Sequence, residues 1–186
     1  MILQCNETKV LHPAGIFPAV CVDVIDLGVR REVYDGEERL VPKVRIVFET
    51  EVPGGLTQEL CRTFTASLNP KARLNEFLGK WRGKPYLPGD AIDLDKVQGV
   101  SATLVVSHQG RRDGNGLYAA IDAVSRQTKR VVPSGKYDKE AARARIREQE
   151  ARSAETGAGS GEWGARSGME GRRNEAAEPL MADTPF

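Results

Sequence analysis

Large apolar side chains are concentrated in the first part of this chain. After residue 133 the only ones are Tyr137, Ile146, Trp163, Met169, Leu180, Met181 and Phe186. A segment that poor cannot bury enough apolar area to offset the entropy of ordering it. Residues 1–133 hold the rest and are long enough for one ordinary domain. The expected layout is a β-rich domain over 1–133, a flexible linker with a marginal helix over 134–173, and an acidic tip over 174–186.

Charge follows the same division. Residues 1–133 carry 18 Lys/Arg against 16 Asp/Glu, residues 134–173 carry 9 against 7, and residues 174–186 carry none against 3. The negative sign is therefore confined to the last segment. Cys5, Cys21 and Cys61 are odd in number and widely spaced, which fits neither a disulfide framework nor a zinc site. No signal-peptide pattern and no run of about 20 apolar residues is present, so a cytoplasmic chain without a membrane span is expected.

The domain reads as strands around one helix. Val20, Val22 and Val24 alternate with Cys21 and Asp23, which is strand period over residues 16–31, and Gly28 permits a bend. Asp35-Gly36 signals a hairpin turn. Val44, Ile46 and Phe48 alternate with Lys43, Arg45 and Val47 in a second strand, and a third is expected over 60–68. Asn69-Pro70 then reads as an N-cap with proline at the first helical position. Leu74, Phe77, Leu78 and Trp81 form one helical face, closed by Gly83. A fourth strand over 100–108, a hairpin loop over 109–116 and a fifth strand over 117–126 follow. Three strands, a helix and two strands is the order of the oligonucleotide-binding (OB) fold. The expected fold is therefore mainly β, a five-stranded OB barrel with a helix between strands 3 and 4, plus a disordered C-terminal tail.

No phosphate loop, metal-ligand spacing or nucleophile elbow is found, so neither enzyme activity nor a cofactor or metal is expected. Asp93 and Asp95 read as solvated loop carboxylates. A single-strand binder needs cations along a groove and aromatic faces for bases. The candidates are Arg30, Arg31 and Tyr34 at the first hairpin, Lys43 and Arg45 opposite the apolar face of strand 2, and Arg62 and Phe64 on strand 3. Tyr86, then Arg111, Arg112 and Tyr118 around the last hairpin, complete the set. Phe64 shares a face with Leu60 and Leu68, which suggests core, but also with Arg62. Trp81 belongs to the helical stripe and reads as core.

The last residues are Asp183-Thr184-Pro185-Phe186. Here the chain resembles bacterial single-stranded DNA-binding proteins, which join an OB domain to a flexible linker and an acidic tip ending Asp-x-Pro-Phe. It departs from them in lacking a run of aspartates. The segment from Trp81 to Tyr86 and the passage from Thr63 to Phe77 look more like proteins of bacteriophages and prophages. The resemblance implies a sequence-tolerant single-stranded DNA-binding protein whose tip residues Asp183, Pro185 and Phe186 recruit replication or recombination partners in a bacterial host cytoplasm. A terminal Phe, with its ring beside a free carboxylate, suits an apolar pocket holding an Arg or Lys. Two alternatives stay open: a protein-interaction adaptor with an OB-like domain, and a cold-shock-type RNA binder. A single domain of such modest charge would gain grip from neighbouring copies, so homo-oligomerisation is an open option.

Overall fold

Residues 19–25 are buried without a break, so this stretch of strand is covered on both faces. It belongs to β1 (Gly15–Tyr34). The computed structural model describes residues 10–111, 114 and 116–155, with the backbone alone at residue 34 and residues 153–155. The further elements are β2 (Glu37–Val52), β3 (Leu56–Thr65), α1 (Arg73–Arg82), a 3-10 turn (Leu94–Val97), β4 (Ser101–Gly110), β5 (Leu117–Arg126) and α2 (Lys139–Glu155). Asp93 caps the 3-10 turn by accepting from the Asp95 amide at 3.1 Å.

The five strands form one antiparallel sheet in the order β3-β2-β1-β4-β5. β1 serves both halves: residues 15–20 pair with β4, and residues 19–34 pair with β2. Two register shifts bend it, between Cys21 and Asp23 and between Asp26 and Gly28. At the second, Gly28 takes a left-handed φ of 66°, open to glycine without steric cost, and its amide bonds the Asp26 carboxylate. The strands run longer than periodicity alone indicates, because β1 and β2 continue as a two-stranded arm. Asp35 and Gly36 close that arm with φ of 53° and 80°, the pattern of a tight type I′ hairpin.

The sheet is open where a five-stranded, partly open barrel was expected, a small difference. Its edges, β3 and β5, share no backbone ladder. They are joined by the Arg62 guanidinium, which donates to the carbonyls of Ile121 at 2.7 Å and Asp122 at 3.1 Å. The same guanidinium lies 5.3 Å from the Phe64 ring centroid and 5.6 Å from that of Phe77. Arg62 was expected on the nucleic-acid face; its side chain instead points inward and closes the sheet. Burial, and then the nearby Arg73 charge, lower its pKa from the ordinary guanidinium value.

The core lies between the inner sheet face and α1. Leu74, Phe77, Leu78 and Trp81 are buried, as the helical stripe indicated. Trp81 sits 5.1 Å from Phe48 by ring centroids and donates its indole N–H to the Ser101 carbonyl at 2.9 Å. Burying each such side chain contributes about 1.5–3 kcal/mol. Gly83 ends the helix at φ 78°, its amide bonding the Gly79 carbonyl. The start differs from expectation, with Ala72 as the N-cap. Asn69 spends its side chain on the Lys71 amide and its carbonyl on the Ala72 amide, building a turn ahead of the helix.

The folded body also continues past residue 133, which corrects the expected boundary there. Val131, Tyr137 and Ile146 pack on Val20, Val22, Ile25 and Val47, on the outer sheet face. Sparse apolar anchors, helped by buried polar ones, hold a strap that no periodic stripe announced.

Replacing Arg62 with Met keeps the apolar stem and removes the seam donors. Losing hydrogen bonds to a charged group from a partly buried site is expected to cost about 2–3 kcal/mol in urea unfolding. A loss below about 0.5 kcal/mol would show that the edges hold together without it.

Candidate nucleic-acid interface

The alternation on β2 sends Val44, Ile46 and Phe48 inward and Lys43, Arg45, Val47 and Glu49 outward. The outward set divides in two. Val47 and Glu49 lie under the strap. Glu49 is buried and accepts from the Ser134 amide at 2.6 Å and the Ser134 hydroxyl at 2.8 Å. Asp23 on β1 is fully buried and accepts from Arg143 at 3.1 Å, the Tyr137 phenol at 3.2 Å and the Val24 amide at 2.9 Å. Both carboxylates are thus compensated, as burial of charge requires.

Lys43 and Arg45 lie beyond the strap's apolar contacts. The register sets Lys43 opposite Thr65 and Arg45 opposite Thr63. Each cation donates to the hydroxyl across the ladder, Lys43 Nζ to Thr65 Oγ1 at 2.9 Å and Arg45 Nε to Thr63 Oγ1 at 3.1 Å. Lys43 is further held by Glu32 at 2.6 Å. Arg30, on the same β1 face, pairs with Glu150 of α2. These side chains are positioned by the sheet, so little rotamer freedom remains to be lost on binding.

Other candidates are dispersed. Arg31 pairs with Glu38 along the exposed arm at 3.4 Å, and Tyr34 ends β1 at the tip of that arm. Arg111 closes the last hairpin through its backbone, with its amide on the Gly116 carbonyl. Arg112 lies outside the described residues, as do Asp183, Pro185 and Phe186. Tyr118 is half-buried and donates to Gln109 Oε1 at 2.8 Å, across the β4–β5 pair. Tyr86 packs against the core with Arg82 over its ring at 4.8 Å. Phe64 is 4% exposed and touches Phe77, so its ring cannot receive a base, and that expectation is corrected.

Two features escaped the sequence reading. One is the strap set of Asp23, Glu49, Ser134, Tyr137 and Arg143, which no local pattern links. The other is a cation group at the end of β5, Arg126, Lys129 and Arg130. Its signal was present: no acidic residue occurs between Asp122 and Asp138. Of the thiols, Cys21 is buried, which pushes it up to about 12, and Cys61 is exposed on the outer face. No described helix is long and apolar enough to cross a membrane. Comparison with protein-family models, curated proteins and solved structures finds no match.

Burial, and then the Asp23 carboxylate that its phenol bonds, push the Tyr137 ionisation above the ordinary tyrosine range. With the folded pKa above the unfolded one, this group's contribution to stability is complete below about pH 10 and lost as pH rises beyond it. Absorbance titration at alkaline pH is expected to show a delayed tyrosine step. Tyr137→Phe should delete it and Asp23→Asn should bring it to lower pH; an unchanged titration in both variants contradicts the strap contact.

Proposed function

We propose that this chain is a non-enzymatic, sequence-tolerant single-stranded DNA-binding protein, with the strand lying on the outer face of β2 and β3. The observation that carries the reading is the pair of cation–hydroxyl couples, Lys43–Thr65 and Arg45–Thr63, side by side on that face. Lysine, arginine and threonine are phosphate-contacting groups, and the face of strands 2 and 3 is the usual oligonucleotide surface of this fold.

The chemistry of the face makes the binding electrostatic. Phe64 is withdrawn into the core and Tyr86 is packed against it, so base stacking contributes less than in aromatic-rich OB domains. Counterion release then supplies most of the affinity. Recruitment of replication or recombination partners by Asp183, Pro185 and Phe186, in a phage or mobile-element setting, rests on the resemblance alone.

One observation favours the adaptor reading as well. The arm exposes Val29, Val33 and Leu40 at 63%, 64% and 72%. Exposed apolar side chains on a protruding ribbon suit contact with protein.

Titrating fluorescent oligo-dT across salt concentrations separates these readings. Lys43→Ala with Arg45→Ala is expected to flatten the log–log salt slope by about 1.4, from roughly 0.7 per lost phosphate contact. A parallel melting curve controls for folding. Absence of wild-type binding at low salt overturns the proposal, and preference for RNA of equal length moves it to the RNA class.

A further inference from the structure

A cleft of about 580 Å3 opens at the other end of the fold, between the C-terminus of α1, the start of β4 and the chain leaving β5. Arg82, Arg126, Lys129 and Arg130 line it, and among the described residues no carboxylate does. All four cations are exposed. Several cations elsewhere on the sheet are matched by carboxylates: Arg30 by Glu150, Lys43 by Glu32, Arg31 by Glu38. Among the described residues none of the cleft's four cations makes an ion pair. Among the described residues Arg82 lies over the Tyr86 ring at 4.8 Å, and no hydrogen bond there engages its guanidinium donors.

The segment that presents these charges is held at both ends. Gln127 Oε1 accepts from the Thr103 hydroxyl at 3.3 Å and from the Thr128 amide at 3.2 Å. Ser101 Oγ accepts from the Val131 amide at 2.8 Å. Ser101 is itself fixed at its carbonyl by the buried Trp81 indole. Residues 128–130 therefore bow out between two anchors, and their cations project from a fixed backbone. Like charges gathered without acids repel, and an anion relieves that repulsion. The cleft is open and its charges sit on long exposed side chains. Such a rim contacts several phosphates in succession, where an enclosed pocket would hold one small anion.

We propose that this cleft is a second phosphate-binding site, separate from the β2–β3 face, which takes the sugar–phosphate backbone of a nucleic-acid strand. The identity of the polyanion rests on the single-stranded DNA reading above; the site does not use any residue of the first face. A strand held at both places is gripped by two sets of cations on one domain, which compensates for the domain's modest net charge.

The test uses the full chain and fluorescent oligo-dT long enough to reach both sites. Arg126→Ala/Lys129→Ala/Arg130→Ala is expected to weaken binding on the order of tenfold or more near physiological salt and to flatten the salt slope by about 2, three cations at roughly 0.7 each. Lys71→Ala, an exposed cation outside the cleft, measures the effect of bulk charge. The charge-keeping variant Arg126→Lys/Arg130→Lys should retain the slope. A triple variant that loses no more than three times the Lys71→Ala effect overturns the site. If the triple variant loses binding while Lys43→Ala/Arg45→Ala does not, the cleft stands and the β2–β3 reading fails. The reverse pattern sinks the cleft and leaves that reading intact. A wild-type chain that binds no oligonucleotide at low salt overturns both.

Discussion

Arg62 does work that the backbone of the two edge strands does not do. β3 and β5 approach without a ladder, and one guanidinium spans them, donating to two successive carbonyls of β5. Its five fixed donors suit this role better than an ammonium would, and its flat face lies against Phe64 and Phe77. Because those rings belong to the helix-covered core, the seam joins edge closure to core packing. The curl it fixes sets the orientation of β2 and β3, and hence of Lys43, Arg45 and the threonines across the ladder from them.

The outer face of the sheet is divided by chemistry. Val20, Val22, Ile25 and Val47 would present an exposed apolar patch, and the strap covers them. Two buried carboxylates lock that cover in register, Asp23 through Tyr137 and Arg143, Glu49 through Ser134. Beyond it the face turns polar, with cations tied to hydroxyls. Folding thus seals the part of the face that water disfavours and leaves beside it a polar part, where Lys43 is also paired with Glu32. The cations of the Arg126–Arg130 segment are displayed on different elements, by a chain anchored at Gln127 and Val131.

Much of this was legible from residue patterns. Period two gave the alternation on β2 and the extent of β5, period 3.6 gave the buried face of α1, and Gly83 gave its end. What escaped were features set by distant partners. Arg62 shares a face with Leu60 and Phe64, and only the approach of β5 explains a cation there. Asn69 has the chemistry of an N-cap, but its local turn competes successfully for the same oxygen. Tyr137 and Ile146 stand nine residues apart, too sparse to register as a stripe, although two anchors suffice when Asp23 and Glu49 wait beneath them. Phe64 had two readings by sequence, and burial decides between them.

Whether a strand lies across β2 and β3 can be read by amide chemical-shift mapping. Isotope-labelled full chain is titrated with oligo-dT, and perturbations are read residue by residue. The largest shifts are expected at Lys43, Val44, Arg45 and Thr63–Thr65, with Tyr137 and its strap neighbours little affected. Binding with those amides unmoved, and perturbations confined to the strap or to the exposed arm, would contradict that placement.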